Sequence, residues 1–390
     1  MNKYSLILVI ALILGGMQSA IWAQCNINFQ NIPITSFEGG VSFRNTVDFN
    51  GDGLTDFSGH IGNRIVVVER LPDGGLSAPL NFPVTTPLGG LIWLHYWGDF
   101  NADGRPDVLV QHATNPTTIT ILFNNGNNGL VTANSTQLGV FENVNNVADL
   151  NGDGVADFVT IDYNRPIGVD ENSWYVYLSK GIASYLPRQF LHQSNGNTFV
   201  GDFDGDRKLD LAVFRITNKQ DRRGLRVFTN FVGGNFKDNG ETRLSNLNAY
   251  IAAELSGDNK TDIFGTTSNG TLQPTLMRTE SPTKWSQIVY NSVYQGNARY
   301  FAGDFNGDGR RDLLQTGVTF QGVGGFTLFA GQANGNLVPA SNTYNFNNYS
   351  DVIWNFATDY DFDGKTDIIK FTTDRNTLVT QMDFVKTVCQ

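Results

Sequence analysis

Seven short segments carry most of the chemistry that this sequence can perform. The first, DFNGDGLTDF at residues 48–57, sets oxygen-bearing side chains at Asp48, Asn50, Asp52 and Asp56, with Gly53 at the sixth position and Phe at the second and tenth. The spacing returns at Asp99, Asn101, Asp103 and Asp107, at Asp149, Asn151, Asp153 and Asp157, and at Asp202, Asp204, Asp206 and Asp210. It returns again at Glu254, Ser256, Asp258 and Asp262, at Asp304, Asn306, Asp308 and Asp312, and at Asp359, Asp361, Asp363 and Asp367. Calcium is a hard cation that takes six to eight oxygen ligands, and a tight loop that turns alternate side chains inward supplies several of them from few residues. Glycine at the sixth position allows the left-handed turn such a loop needs. The seventh residue varies freely (Leu54, Arg105, Val155, Lys208, Lys260, Arg310, Lys365), as expected where only its carbonyl is used.

An EF-hand would also need an acid at position 12 and a helix on each side. Position 12 holds Gly59, Val110, Thr160, Val213, Gly265, Gln315 or Lys370. None is acidic, and the loops run into short β-branched stretches such as DVLVQ and DIIKF, which read as strands. Charge supports a cation in the loops. Of 37 acids, 23 lie at these positions, leaving 14 against 27 Lys and Arg; carboxylates so close together repel unless a cation joins them. Up to seven calcium ions are expected. The loop at Glu254, with Ser256 for Asn and Asn259 for Gly, should be weak or empty, whereas the one at Asp202 gains a fourth carboxylate and should fill despite Arg207.

The elements that hold these loops follow from the period. The intervals between first acids are 51, 50, 53, 52, 50 and 55 residues, enough for four strands each. In the second unit the inner strand is LIWLHYWGDF, followed by the loop, then DVLVQHA, TTITILFN and an outer strand LVTANSTQLG. The residue before the first acid is small in most units (Gly98, Ala148, Gly201, Ala253, Gly303), as close packing between inner strands requires. The chain is therefore all-β, a seven-bladed β-propeller of four-stranded blades. Only two strands, DIIKFTT and LVTQMDFVKTV, follow the last loop, and NINFQNIPITSFEGGVSF near the start resembles an outer strand leading into an inner one. The N-terminal strand should thus complete the C-terminal blade.

Lys3, the apolar stretch Leu6–Leu14 and IWA before Gln24 read as a signal peptide over 1–23, leaving 24–390 as a single propeller placed outside the cytoplasm, secreted or at a cell surface. No stretch reaches the ~20 apolar residues of a membrane span. Cys25 and Cys389, the two cysteines, sit at the ends of that region and suggest one disulfide across the ring closure.

The loop motif and its period resemble the FG-GAP or VCBS repeats of integrin alpha-subunit propellers, of many secreted bacterial proteins and of a seven-bladed fungal lectin. The resemblance covers all seven units. It implies calcium loops on one face of a seven-bladed ring and carries over to the ligand positions above; the Phe-Gly and Gly-Ala-Pro elements of the integrin signature are not intact, so the partner is left less determined than the fold. A glycan or glycoprotein is the expected ligand, bound multivalently in the manner of a lectin, with a protein-binding adhesion or scaffold role as the alternative and a polysaccharide-degrading enzyme as a lesser one. His60, His95, His112 and His192 are scattered through the units and no nucleophile motif is present, which argues against catalysis. Lys and Arg are dispersed, so nucleic acid is not expected. Two sets of side chains could meet a ligand: the aromatics Trp93, Trp97, Trp174, Tyr175, Trp285, Tyr294, Tyr300 and Trp354, and the residue four before each first acid, Arg44, His95, Asn145, Thr198, Tyr250, Tyr300 and Asn355, expected near the mouth of the ring.

Overall fold

The computed structural model describes residues 27–85, 90–165, 171–181, 184–216, 223–232, 235–244, 247–268, 272–290, 296–318, 324–346, 352–374 and 376–389. Every element among them is a strand or a turn. Seven antiparallel sheets of four strands each follow one another along the chain. In the second blade the strands are Ile92–Gly98, Asp107–His112, Thr118–Asn124 and Leu130–Gln137, as the alternation of apolar residues leads one to expect. The inner strands of the others are Ser42–Val47, Glu142–Ala148, Thr198–Gly201, Leu247–Ala253, Gly296–Gly303 and Val352–Thr358. Each inner strand contacts the next, and the seventh contacts the first, which closes the ring.

The closure is made by the N-terminal strand Ile27–Phe37, which pairs antiparallel with Thr380–Cys389 as the outer strand of the last blade. Ile27 lies opposite Cys389. The expected bridge from Cys25 falls outside the described residues, as does the leader segment.

Apolar residues gather in seven clusters, one at each junction between blades, and the loops themselves feed them. The residue at loop position 2 packs toward the following blade: Phe49 joins Val108 and Leu122, and Phe305 joins Ile368 and Val385. The residue at position 10 packs toward the preceding blade, so that Phe57 meets Phe371 and Phe384 while Val108 meets Phe49. All fourteen are buried. A loop with both ends anchored in different junctions fixes the angle between blades, at roughly 2 kcal/mol for each large side chain removed from water.

The small residue before most of the loops has a matching cause. A Cβ on Gly98, Gly201 or Gly303 would lie 2.7, 2.4 or 2.5 Å from Ala156, Thr261 or Thr366, the eighth residue of the next blade's loop. That same eighth residue donates its N–H to the carbonyl of the previous loop's first acid: Ala156 to Asp99, Thr261 to Asp202 and Thr366 to Asp304, each at 2.6 Å. Three pairs of neighbouring loops are thereby latched together. Between the first and second blades the eighth residue is Pro106, which has no N–H. There Asn124 Nδ2 donates to the Phe49 carbonyl at 2.8 Å instead.

Candidate functional site: metal loops and the mouth of the ring

Six loops are nests of backbone amides around the first acid; in the seventh, Asp359 accepts one, from Gly364 N at 3.1 Å. Asp48 Oδ1 accepts from Gly51 N at 2.9 Å and Asp52 N at 3.1 Å, and Oδ2 accepts from Gly53 N at 3.0 Å. Asp149, Asp202 and Asp304 repeat all three bonds. To make the nest the chain takes positive φ at position 6 in every loop, including Arg207 (68°) and Asn259 (65°), where glycine is replaced. Position 4 is also left-handed throughout, with Ala102 and Phe362 at 60°, a constraint legible only as the Gly found there in the other five loops.

The ninth residue does more than supply a ligand oxygen. Asp56, Asp107, Asp157, Asp210, Asp262, Asp312 and Asp367 are fully buried. Asp312 Oδ2 accepts from Phe305 N at 2.9 Å and Oδ1 from Gly331 N at 2.8 Å, so one carboxylate joins the exit of the inner strand to the end of the third strand. Asp56, Asp107, Asp157, Asp262 and Asp367 bridge the same two places. Burial pushes Asp157, Asp210, Asp312 and Asp367 up to about 7; amide hydrogen bonds oppose this and neighbouring loop acids add to it. Asp56, Asp107 and Asp262 rise to about 6 for the same first cause.

Position 5 is engaged differently. In all seven loops its Oδ1 accepts the amide of position 7. The seventh side chain is not idle as the sequence suggests. Arg105, Lys260, Arg310 and Lys365 each fold back onto the acid at position 5, the last two at 3.0 and 2.9 Å.

Two loops bring three carboxylates together: Asp202, Asp204 and Asp210, and Asp359, Asp361 and Asp367, each set with one oxygen apiece inside 4.8 Å. In these loops Asp210 Oδ1, Asp359 Oδ1 and Asp361 Oδ1 are buried without a hydrogen-bond donor. Clustered hard oxygens with unmet lone pairs suit a cation such as calcium. The residues therefore fit the metal that the loop spacing implies.

At the ring's centre the positions four before the first acids part company. Register shifts in the inner strands fall on Arg44, Asn145 and Tyr250, where a bulge takes the side chain out of the regular alternation. Asn145 and Tyr250 join Thr198, at the start of the fourth inner strand, around one depression of about 430 Å³ that spans blades three to five. Thr198 Oγ1 donates to Asn145 Oδ1 at 2.7 Å, Asn146 bridges both, and the Tyr250 ring stacks on Tyr300 with centroids 5.4 Å apart.

Two of the expected contact residues are interior instead. In the second blade the shift falls two residues earlier, on Trp93, so His95 keeps its regular place facing Val110 and is 2% exposed. Its Nε2 lies 2.8 Å from Ser58 Oγ and its Nδ1 3.3 Å from His60 Nδ1. The histidines that look scattered in sequence thus include one touching pair. Tyr300, regularly paired with Gln315, is 8% exposed and belongs to the core between blades five and six. Asn355 pairs with Lys370 in the seventh inner strand; its side chain, those of Trp354 and Tyr294, lie outside the described residues. Of the other aromatics, Trp174 is buried, Tyr175 lies under the Arg188 guanidinium at 4.0 Å, Trp285 packs against the core of blades four and five, and Trp97 donates to Ser58 Oγ. Trp93 is 46% exposed.

Residues 48–110, 99–160 and 149–213 match the model of the FG-GAP-like repeat. The chain carries FG-GAP-like repeats. Its later loops keep the same spacing and the same buried ninth aspartate as the matched FG-GAP-like units. Among solved structures, one of an Agrocybe aegerita lectin, described for specific recognition of non-reducing terminal N-acetylglucosamine, covers 90% of this chain and 91% of its own at 16% identity, with a TM-score of 0.54. The two share the fold. A structure of the Photorhabdus luminescens Tc holotoxin pore covers 86% of this chain but 17% of its own, at 14% identity and a TM-score of 0.38. Among curated proteins none matches.

Proposed function

We propose that the protein is a calcium-stabilised β-propeller that binds carbohydrate outside the cytoplasm. The observation that carries this reading is the depression at the ring's centre. Asn145, Asn146, Asn197 and Thr198 offer amide and hydroxyl groups, Tyr250 offers a ring face braced by Tyr300, and among the described residues no charged side chain lines it. Such a wall suits the alternating polar edge and apolar face of a sugar ring. The lectin propeller that shares this fold supports a glycan as ligand, and the leader-like segment 1–23 supports the location. Calcium, when bound, neutralises the loop carboxylates and ties each blade's inner and second strands; the acids at positions 1 and 9 with the oxygen at position 3 hold it.

The central wall is not repeated from blade to blade. His95 and Tyr300 turn inward where Asn145 and Tyr250 bulge out, so this depression gives one site per ring, and multivalence would need sites elsewhere. The test is a glycan array probed in calcium with the wild type, Tyr250→Ala and Asn145→Ala. Neutral glycans bound by the wild type and lost in both variants support the reading; undiminished binding in the variants removes this site from it.

A protein partner is the second reading, favoured by exposed apolar side chains at the starts of the second and third inner strands. Leu91, Trp93, Val140, Phe141 and Tyr163 all stand exposed, with Tyr163 N bonded to the Phe141 carbonyl. Loss of target binding after periodate oxidation favours the glycan; indifference to periodate favours the protein. Catalysis finds no support in the histidines: His95 and His112 are enclosed and His192 is held by Arg226. Among the described residues no helix is long and apolar enough to cross a membrane.

A further inference from the structure

In every loop but the fourth the ninth aspartate receives an amide from the end of the third strand, and the residue just before that amide differs in charge between blades. It is Phe123, Leu178 and Ala330 in the second, third and sixth blades and Arg278 in the fifth, whose guanidinium donates to the Asn334 carbonyl at 3.3 Å; it is Glu69 in the first and Lys386 in the seventh. These two flank the closure of the ring.

Glu69 is 7% exposed, and its Oε1 has no hydrogen-bond donor. A carboxylate held that deep without a partner is costly unless a cation meets it. It stands beside the first loop, one residue before the Arg70 amide that Asp56 Oδ1 accepts at 2.8 Å, and the charges of Asp52 and Asp56 couple to its own. Lys386 is the reverse case. Its ammonium pairs with Asp361 and lies 3.5 Å from Asp363 Oδ2, the oxygen that Lys365 also approaches at 2.9 Å. Arg70, enclosed between the rings of Tyr360 and Phe362, donates to the Asp359 carbonyl at 3.0 Å. The seventh loop, with its four carboxylates, is thus surrounded by three cations of the chain's own.

We propose that these two side chains grade calcium affinity in opposite directions: Glu69 adds a carboxylate to the first loop and makes it a tight site, while Lys386 serves the seventh loop as a built-in cation that competes with calcium. The order inverts the one that counting loop acids gives, three at the first loop and four at the seventh. The proposal rests on the reading of the loops as calcium sites.

Calorimetric calcium titration of the full chain tests it, with Glu69→Gln, Lys386→Met and Lys386→Arg beside the wild type. The tightest step should weaken about tenfold in Glu69→Gln, as ligand charge sets affinity in such loops. Lys386→Met should gain a step, or tighten one, by about tenfold, and Lys386→Arg should match the wild type. Unchanged steps in both Glu69→Gln and Lys386→Met overturn the grading while leaving calcium binding in place; a wild type that takes up no calcium overturns both. If Glu69→Gln does not fold, the Lys386 pair decides alone, read also as the melting temperature against calcium concentration: only Lys386→Met should reach its plateau at lower calcium.

Discussion

The ninth aspartate shows how far a residue's role can exceed what its motif announces. In sequence Asp312 is one more oxygen in a metal loop; in the fold both its oxygens accept backbone amides from two strands, and nothing about its spacing reveals the second task. Asp312→Ala should therefore cost about 2–4 kcal/mol even in calcium-free protein, because two buried amides lose their acceptor. Chemical denaturation in chelator measures this, and a loss under about 1 kcal/mol would mean that the amides find other partners. The histidine pair is a second case. Burial lowers His60 to about 4 and His95 to about 3, with Arg44 adding to both and His60 to His95. Both are uncharged in the fold, whereas the unfolded chain protonates them near pH 6.5. Below that pH the unfolded state binds more protons, so stability is lost as pH falls from 6.5 toward 4, by up to about 1.4 kcal/mol per pH unit for each ring. A His60→Gln/His95→Asn double variant should show a shallower loss over that range than the wild type; equal slopes would contradict the assignment.

At the scale of the element, the strand pattern was open to reading and the bulges were not. Alternating apolar residues and the Gly or Asn turns mark strands such as Asp107–His112 within a residue or two. Whether residue −4 faces the ring's centre depends on where an extra residue enters the inner strand, at Asn145 and Tyr250 but at Trp93 in the second blade. That choice is made by packing between blades, which a local pattern does not record, and it is why His95 and Tyr300 lie inside. The small residue before most of the loops was legible, and its reason is now specific. A methyl group on Gly303 would meet the Thr366 side chain at 2.5 Å. Gly303→Ala should lower stability by about 1–3 kcal/mol through overpacking at the junction of blades six and seven. An unchanged denaturation midpoint would show that Thr366 yields freely.

For the whole molecule, the repeat made the architecture plain because a period near 50 residues with one loop per unit admits few arrangements. The closing strand was also foreseeable, from one strand missing at one end and one to spare at the other. The partner was not, since a ring uses its repeated residues to hold blades together and leaves recognition to the positions that vary. What the fold adds is that the loops are joined: each feeds the cores on both sides, and three donate an amide back to the loop before. Removing the cation should therefore loosen the ring as a unit. Thermal denaturation of the full chain with millimolar calcium and with excess chelator is the direct measurement. The melting temperature should fall by ten degrees or so in chelator, roughly the effect of losing several kcal/mol of ligand linkage, and return when calcium is restored. The same melting temperature in both conditions would contradict the role given to calcium in holding the seven blades.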